Sequence, residues 1–307
     1  MFLNEAHVRS RLTYDALIPA IRHALIDFSA GRVQQPPRTI LRAGNQDGPR
    51  DGWFAVMPVI HGDAMGVKTV TFFAANAGTG LPTHMAVIEL LSRATGQPLA
   101  IMDGRLITEM RTAAVSAVAL DALAPAGVTS LGILGAGVQA RSHLEALRRM
   151  RPSLRDIRIW SRTRQSAERL VEETVATTGI AARAADIEDA ASAQVVLTAT
   201  GSPTPILQGR WLRPDALVLA VGAVGPSLRE LDDEVMHSSW IVAESRAAAE
   251  REAGDIVLSG VRVQAEIGEI LANPTAFSIP RSRVLFKSVG MAIEDLAAAR
   301  LVWQAMQ

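Results

Sequence analysis

Between residues 129 and 243, short apolar runs alternate with segments of helical periodicity, and this most constrains the fold. The apolar runs cover 129–134, 157–160, 195–198, 216–221 and 241–243, the last expected to be the final strand. Helical patterns fill 138–150 and 165–178. Such alternation implies parallel strands joined by right-handed crossovers. At the first strand-to-helix turn stands Gly135-Ala136-Gly137-Val138-Gln139-Ala140, which fits G-x-G-x-x-[GA]. Gly135 permits a tight turn, and Gly137 lets the backbone approach a pyrophosphate. Ala140 is small enough for the helix to pack on its strand, and the helix N-terminus faces the anion. Alone the motif is weak; in this strand–turn–helix context it predicts a dinucleotide site.

The end of the second strand should read the adenosine ribose. A carboxylate there would bind a free 2′-hydroxyl. The segment is Trp160-Ser161-Arg162-Thr163-Arg164, with no Asp or Glu. An arginine flanked by hydroxyls suits a 2′-phosphate. The expected cofactor is NADPH, with NADH possible.

The first 125 residues read differently. Residues 12–31 are expected to be helical, with Gly31 as a stop. A stretch rich in Gly, Pro and Asn spans 34–52. Strands are expected at 53–59, 65–73, 87–91 and 99–102, with turns at His61-Gly62-Asp63 and Asp103-Gly104. Ala-rich helices are expected at 108–123 and 292–307. The predicted fold class is therefore α/β: a Rossmann dinucleotide-binding domain beside an α+β domain. At 307 residues there is room for both, because a single core rarely grows much past about 250.

Composition removes several function classes. Thirty-one basic and 31 acidic residues balance, without the basic excess usual in nucleic-acid binders. There is no cysteine, so disulfides, thiolate nucleophiles and Cys-ligated zinc are excluded. The histidines show no metal-ligand spacing and no G-x-S-x-G occurs, so no metal site and no serine hydrolase are expected. Residues 1–12 lack a signal-peptide apolar core, and the charge-free stretch 190–209 is broken by Gly201, Pro203 and Pro205. A cytoplasmic protein that neither enters membranes nor binds nucleic acid is expected.

Only two of the 31 basic residues are lysines, Lys68 and Lys287. Lys68 lies inside an expected strand, where a cation needs a partner or a ligand. Arg38 follows the stiff Pro36-Pro37, and Arg111 begins the Ala-rich helix. These three could converge on a substrate carboxylate or form separate structural salt bridges. Thr83 and His84 precede an apolar strand and could line the same pocket or merely close the turn.

The chain resembles the ornithine cyclodeaminase/mu-crystallin family nearly from end to end. The resemblance rests on Pro36-Pro37-Arg38, Gly66-Val67-Lys68-Thr69-Val70-Thr71, Gly80-Leu81-Pro82-Thr83-His84 and Arg111-Thr112-Ala113-Ala114. It continues through Gly135 to Ala140, Ile159-Trp160-Ser161-Arg162-Thr163, Val221-Gly222-Ala223, Arg229-Glu230-Leu231-Asp232 and Phe286-Lys287-Ser288-Val289-Gly290-Met291-Ala292-Ile293-Glu294-Asp295. The resemblance implies a Rossmann domain over 126–289 and a substrate-binding, dimerising domain over 1–125 with 290–307. It implies that Arg38, Lys68 and Arg111 hold the substrate carboxylate, with Thr83 beside them and Lys68 closest to the chemistry. The implied cofactor set is Thr112, Gly135, Gly137, Val138, Gln139, Ser161, Arg162, Thr163, Thr200, Val221 and Ser288.

Two departures separate chemistries within that family. Its cyclodeaminases carry an Asp where this chain has Val224 and a Glu where it has Ala55. Both losses remove groups that would handle substrate amines. The resemblance therefore implies a homodimeric ketimine reductase that converts a small cyclic imino acid, 1-pyrroline-2-carboxylate or 1-piperideine-2-carboxylate, to L-proline or L-pipecolate. Alternatives are an ornithine cyclodeaminase, an alanine-dehydrogenase-type deaminase, and a non-catalytic binding protein of the crystallin kind.

Overall fold

The computed structural model describes residues 1–44 and 52–307, so part of the Gly-, Pro- and Asn-rich stretch lies outside the described residues. The chain is a mixed α/β protein of two compact units. Met1–Arg111 with Gly290–Gln307 form one, and Thr112–Val289 the other. The division falls inside the helix Arg105–Leu123, ahead of the boundary expected near 125.

The first unit is built on a six-stranded sheet. Its strands are β1 (Phe2–Leu3), β2 (Thr39–Arg42), β3 (Gly52–His61), β4 (Ala64–Phe73), β5 (His84–Ser92) and β6 (Pro98–Asp103), in the order β1-β6-β5-β4-β3-β2. β2 through β6 form an antiparallel meander, and β1 adds in parallel to β6. Alternation decides which face is covered. Along β4, Ala64, Gly66, Lys68 and Val70 point inward. The helices Tyr14–Ser29 and Ala292–Gln304 pack on one another, and the second lies on β3, β4 and β5. The opposite face keeps Phe2, Leu41, Met85, Val87 and Ile101 exposed.

The second unit is an eight-stranded parallel sheet with helices between its strands. It comprises β7 (Ser130–Leu134), β8 (Asp156–Trp160), β9 (Ala182–Ala184), β10 (Val195–Thr198), β11 (Leu217–Ala220), β12 (Trp240–Ala243), β13 (Ala265–Glu266) and β14 (Val284–Lys287). The order is β13-β12-β14-β11-β10-β7-β8-β9. From β7 the chain first adds β8 and β9 on one side, then crosses to add β10 on the other. β7 and β10 therefore flank the point where the winding reverses, which is where open parallel sheets bind ligands at their strand ends.

The expected strands and the long helices are found with small shifts at their ends. One expectation fails: 241–243 is not the last strand, since β13 and β14 follow it. β14 is inserted between β11 and β12. Its run is short and ends in Lys287, a residue that argues against a buried strand until its partners are known. Among the described residues, no helix is long and apolar enough to cross a membrane.

Candidate active site: a cation cluster and a dinucleotide turn

The first unit gathers Arg38, Lys68 and Arg111. Lys68 sits mid-strand between Met57 of β3 and Ile88 of β5, 3% exposed. The anion it needs comes from the protein itself: Asp295 Oδ2 lies 2.6 Å from Lys68 Nζ. Arg111, also buried, donates from Nη1 to Glu294 Oε2 at 2.8 Å and from Nε to Asp295 Oδ1 at 3.1 Å. Arg38 donates from Nη2 to the Gly290 carbonyl at 2.5 Å. The same Pro-Pro segment supplies Gln35, whose Oε1 accepts the Ile293 N–H at 2.8 Å.

Local sequence explains how the carboxylates arrive. Glu294 and Asp295 stand in the first turn of the helix Ala292–Gln304, where the helix dipole favours negative charge. Glu294 Oε2 also accepts the Met291 N–H at 3.1 Å. Gly290 has φ +76, and a Cβ there would lie 2.6 Å from Arg111 Nη1. Only glycine lets the chain turn here and leaves the guanidinium its place.

Sequence reasoning held a substrate carboxylate and internal salt bridges as alternatives for these cations. The internal pairs are present, so Lys68 is not an ammonium waiting for substrate alone. The cluster thus brings Arg38, Lys68 and Arg111 together with Glu294 and Asp295. Burial pushes the Lys68 ammonium down to about 8; Asp295 opposes this, while Arg111 and Arg38 add to it.

His84 opens β5 opposite Phe72. Burial, then the Lys68 and Arg111 charges, hold its pKa down to about 4, so its imidazole is neutral at pH 7. Thr83 precedes it, and its carbonyl accepts the Phe73 N–H at 2.8 Å, closing the turn. Ala55 is buried on the inner face of β3.

The second unit carries the dinucleotide turn between β7 and the helix Val138–Met150. Gly135 has φ +129, and its N–H donates to Trp160 O at 2.8 Å, tying the turn to the end of β8. A Cβ at Gly135 would lie 2.5 Å from Ala199 O, just beyond β10. Gly137 caps the helix without a side-chain hydrogen bond, and a Cβ built on it meets only open space. Beside it, Gln139 Oε1 is buried with no hydrogen-bond partner. The open helix N-terminus fits a pyrophosphate; the Gln139 oxygen, an acceptor, calls for a donor instead.

Ser161, Arg162 and Thr163 follow β8 directly. Arg162 is exposed, and Thr163 Oγ1 shares a 2.7 Å hydrogen bond with Ser166 Oγ. Thr200 follows β10, Val221 follows β11 and Ser288 follows β14, so all three stand at carboxyl ends of strands. Thr112 is buried in the helix Arg105–Leu123, and Val138 is exposed at its helix start. Val224 is exposed just after Ala223, whose φ is +53.

Sequence reasoning missed Glu294 and Asp295 as the partners of the cluster. Two adjacent carboxylates opening an otherwise Ala-rich helix were the available signal. It also missed Glu230, Asp255 and Glu244, which are buried in the second unit.

A Rossmann-type sheet with an open glycine turn defines a dinucleotide-binding protein, and its other unit carries a buried cation cluster. The chain belongs to the ornithine cyclodeaminase/mu-crystallin family, which it matches over residues 1–307. It is 40% identical to the ketimine reductase mu-crystallin of Mus musculus, over 99% of this chain and 96% of that protein. The solved structure of Thermococcus litoralis Delta(1)-pyrroline-2-carboxylate reductase with NADH and L-proline superposes with a TM-score of 0.93. Their identity is 31%, covering 99% of this chain and 97% of that one. An archaeal alanine dehydrogenase dimer with bound NAD gives a TM-score of 0.92 at 28% identity, covering 99% and 95%.

The depressed Lys68 pKa can be read directly, because the chain has two lysines. A sample labelled with 13C at lysine Cε should give two resonances. The one lost in Lys68→Met should titrate near pH 8. A Lys68 resonance that stays fully protonated past pH 10 would contradict this electrostatic account.

Proposed function

We propose that this protein is an NAD(P)H-dependent oxidoreductase that reduces the C=N bond of cyclic ketimine carboxylates. The substrates are 1-pyrroline-2-carboxylate and 1-piperideine-2-carboxylate; the products are L-proline and L-pipecolate. The carrying observation is the gathering of Lys68, Arg38 and Arg111 in one unit, two of them buried. A substrate carboxylate suits cations so placed. The names of the mouse and Thermococcus relatives, and the L-proline in the latter's structure, support this reading.

Gly135, Gly137, Val138 and Gln139 hold the pyrophosphate end of the cofactor. Thr200, Val221 and Ser288 face it from the strand ends, and Thr112 completes the set. When bound, the reduced nicotinamide supplies the hydride. Arg38, Lys68 and Arg111 grip the carboxylate and so fix the neighbouring imine carbon that accepts it, with Thr83 alongside. Positioning of this kind provides much of the rate when the substrate imine is already protonated in water. A general base is then dispensable, in keeping with Val224 and Ala55 where the family's cyclodeaminases carry acids.

NADPH oxidation with cyclic imines or with pyruvate and ammonia, and ammonia release from ornithine with NAD+, test the assignment: turnover should be confined to the imines. Turnover of ornithine but not of imines would overturn it. Lys68→Met keeps the packing of the stem and removes the charge. It should lower kcat/KM by a hundredfold or more, about 3 kcal/mol of transition-state stabilisation, while NADPH binding survives. Near-normal turnover would require another carboxylate anchor.

The cofactor is NADPH in preference to NADH, with Ser161, Arg162 and Thr163 receiving the 2′-phosphate. Arg162→Ala should weaken NADPH by about 1.5–3 kcal/mol, the range for a hydrogen bond to a charged group, and leave NADH nearly unchanged. Equal losses by fluorescence titration would refute the preference.

The protein is a homodimer whose first unit pairs across a twofold axis. The exposed apolar row of Phe2, Met85, Val87 and Ile101 on the uncovered sheet face supports this, as does the dimeric archaeal neighbour. Light scattering at micromolar concentration should give twice the 32.8 kDa chain mass; a monomer would exclude the dimer.

A further inference from the structure

The second lysine is as deeply buried as the first, and the carboxylate anchor does not use it. Lys287 ends β14 with no exposed surface. Its Nζ donates to the Gly222 carbonyl at 2.5 Å and pairs with Asp255 Oδ2 at 2.9 Å. Asp255 Oδ1 in turn accepts the N–H groups of Glu230 and Leu231, at 2.8 and 3.0 Å. Glu230, likewise fully buried, turns its carboxylate back to the end of β10. Its Oε2 accepts from Thr198 Oγ1 at 2.8 Å, and its Oε1 accepts from Thr200 N and Thr200 Oγ1, at 2.7 and 2.6 Å.

One connected set of buried charges therefore ties the carboxyl ends of β10, β11 and β14 together. The loops it holds are pressed close. A Cβ at Gly222 would lie 2.2 Å from Thr200 O and 2.5 Å from Glu230 Oε1. The next residue, Ala223, is the only non-glycine described residue with a positive φ, a conformation that persists when its surroundings over-determine it. Glu244, just past β12, continues the pattern: it accepts from the Ser288 hydroxyl and from Val289 N at 2.9 Å.

Buried charges that merely stabilise a fold are poor value, since apolar residues of similar volume often serve as well. Here, apart from the Lys287–Asp255 pair itself, the polar atoms named end on backbone or hydroxyl groups at strand ends and the loops after them, where a parallel sheet receives its ligand. We propose that the Lys287–Asp255–Glu230 network is a positioning device for the nicotinamide cofactor, presenting Thr200 and the Gly222-Ala223 turn to it. This rests on the cofactor assignment made under Proposed function. Glu230 acts through Thr200, and Lys287 acts through the Gly222 carbonyl. Burial raises the Glu230 pKa against the pull of Lys287.

Two substitutions at Glu230 separate positioning from simple stability. Glu230→Asp keeps the charge but withdraws the carboxylate from Thr200. Glu230→Gln discards the charge but keeps an oxygen that accepts from Thr200 N and Oγ1. Binding is read by nicotinamide fluorescence with NADPH and NADH on the full-length chain, folding by thermal unfolding, and the KM for imine and for cofactor separately. Glu230→Asp should raise the cofactor Kd tenfold or more and leave the imine KM within twofold. Glu230→Gln should hold the cofactor Kd within threefold of wild type. If the Asp variant does not fold, Thr198→Val, which cuts one tether of the same carboxylate, should raise the cofactor Kd at least threefold. Unchanged cofactor Kd in the folded Asp variant, or in Thr198→Val where that variant carries the test, would overturn the proposal, even if the melting temperature falls. A wild-type chain that binds neither NADPH nor NADH would overturn both this proposal and the cofactor assignment.

Discussion

A positive charge inside a β-strand must be answered from another element, and the first unit is arranged around that demand. Lys68 lies on the covered face of the central strand β4, flanked by Gly66 and Val70. No residue of β3 or β5 opposite it carries a carboxylate; Met57 and Ile88 stand there. The answer has to come from the layer above, and the last helix of the chain brings it as Asp295. This gives a physical reason for a discontinuous unit, in which Gly290–Gln307 joins Met1–Arg111. The helix must also start at the right height. Gly290 turns the chain, Gln35 takes the Ile293 N–H, and Arg38 holds the Gly290 carbonyl. The residues that fix the helix are thus largely the residues that form the cation cluster.

Both lysines of the chain follow one design with opposite outcomes. Each is buried at a parallel or central strand, and each pairs with an aspartate from a helix: Lys68 with Asp295, Lys287 with Asp255. Around Lys68 stand two arginines, Arg38 and Arg111. Around Lys287 the further group is Glu230, whose carboxylate takes three hydrogen bonds from Thr198 and Thr200. The same buried Lys–Asp pair is thus joined by cations in one unit and by an acid held on hydroxyls in the other.

What the sequence made legible had a local cause. The glycine turn could be placed because its function needs specific backbone freedom within six residues, and Gly135 at φ +129 shows that freedom in use. The strands of the meander could be placed because alternation and turns are short-range. β14 escaped because its place between β11 and β12 is settled by pairing with distant strands. Asp295 and Glu294 escaped for the same reason: nothing near them in sequence shows that Lys68 and Arg111 are their partners. The rarity of lysine was a signal that worked at long range, since both lysines proved to be buried and paired.

The chemistry assigned to the protein follows from what the cluster lacks as much as from what it holds. A deaminating site must take up and release protons at substrate nitrogen. Ala55 and Val224 cannot serve, His84, with its pKa near 4, is neutral and a poor base at neutral pH, and Lys68, brought down to about 8, is tied to Asp295. A reducing site faces a lighter task when its substrate arrives as an iminium. It must hold one carboxylate firmly. Lys68 and Arg111, fixed by Glu294 and Asp295 at a helix N-terminus, with Arg38 on the Gly290 carbonyl, are the kind of group that such a task calls for.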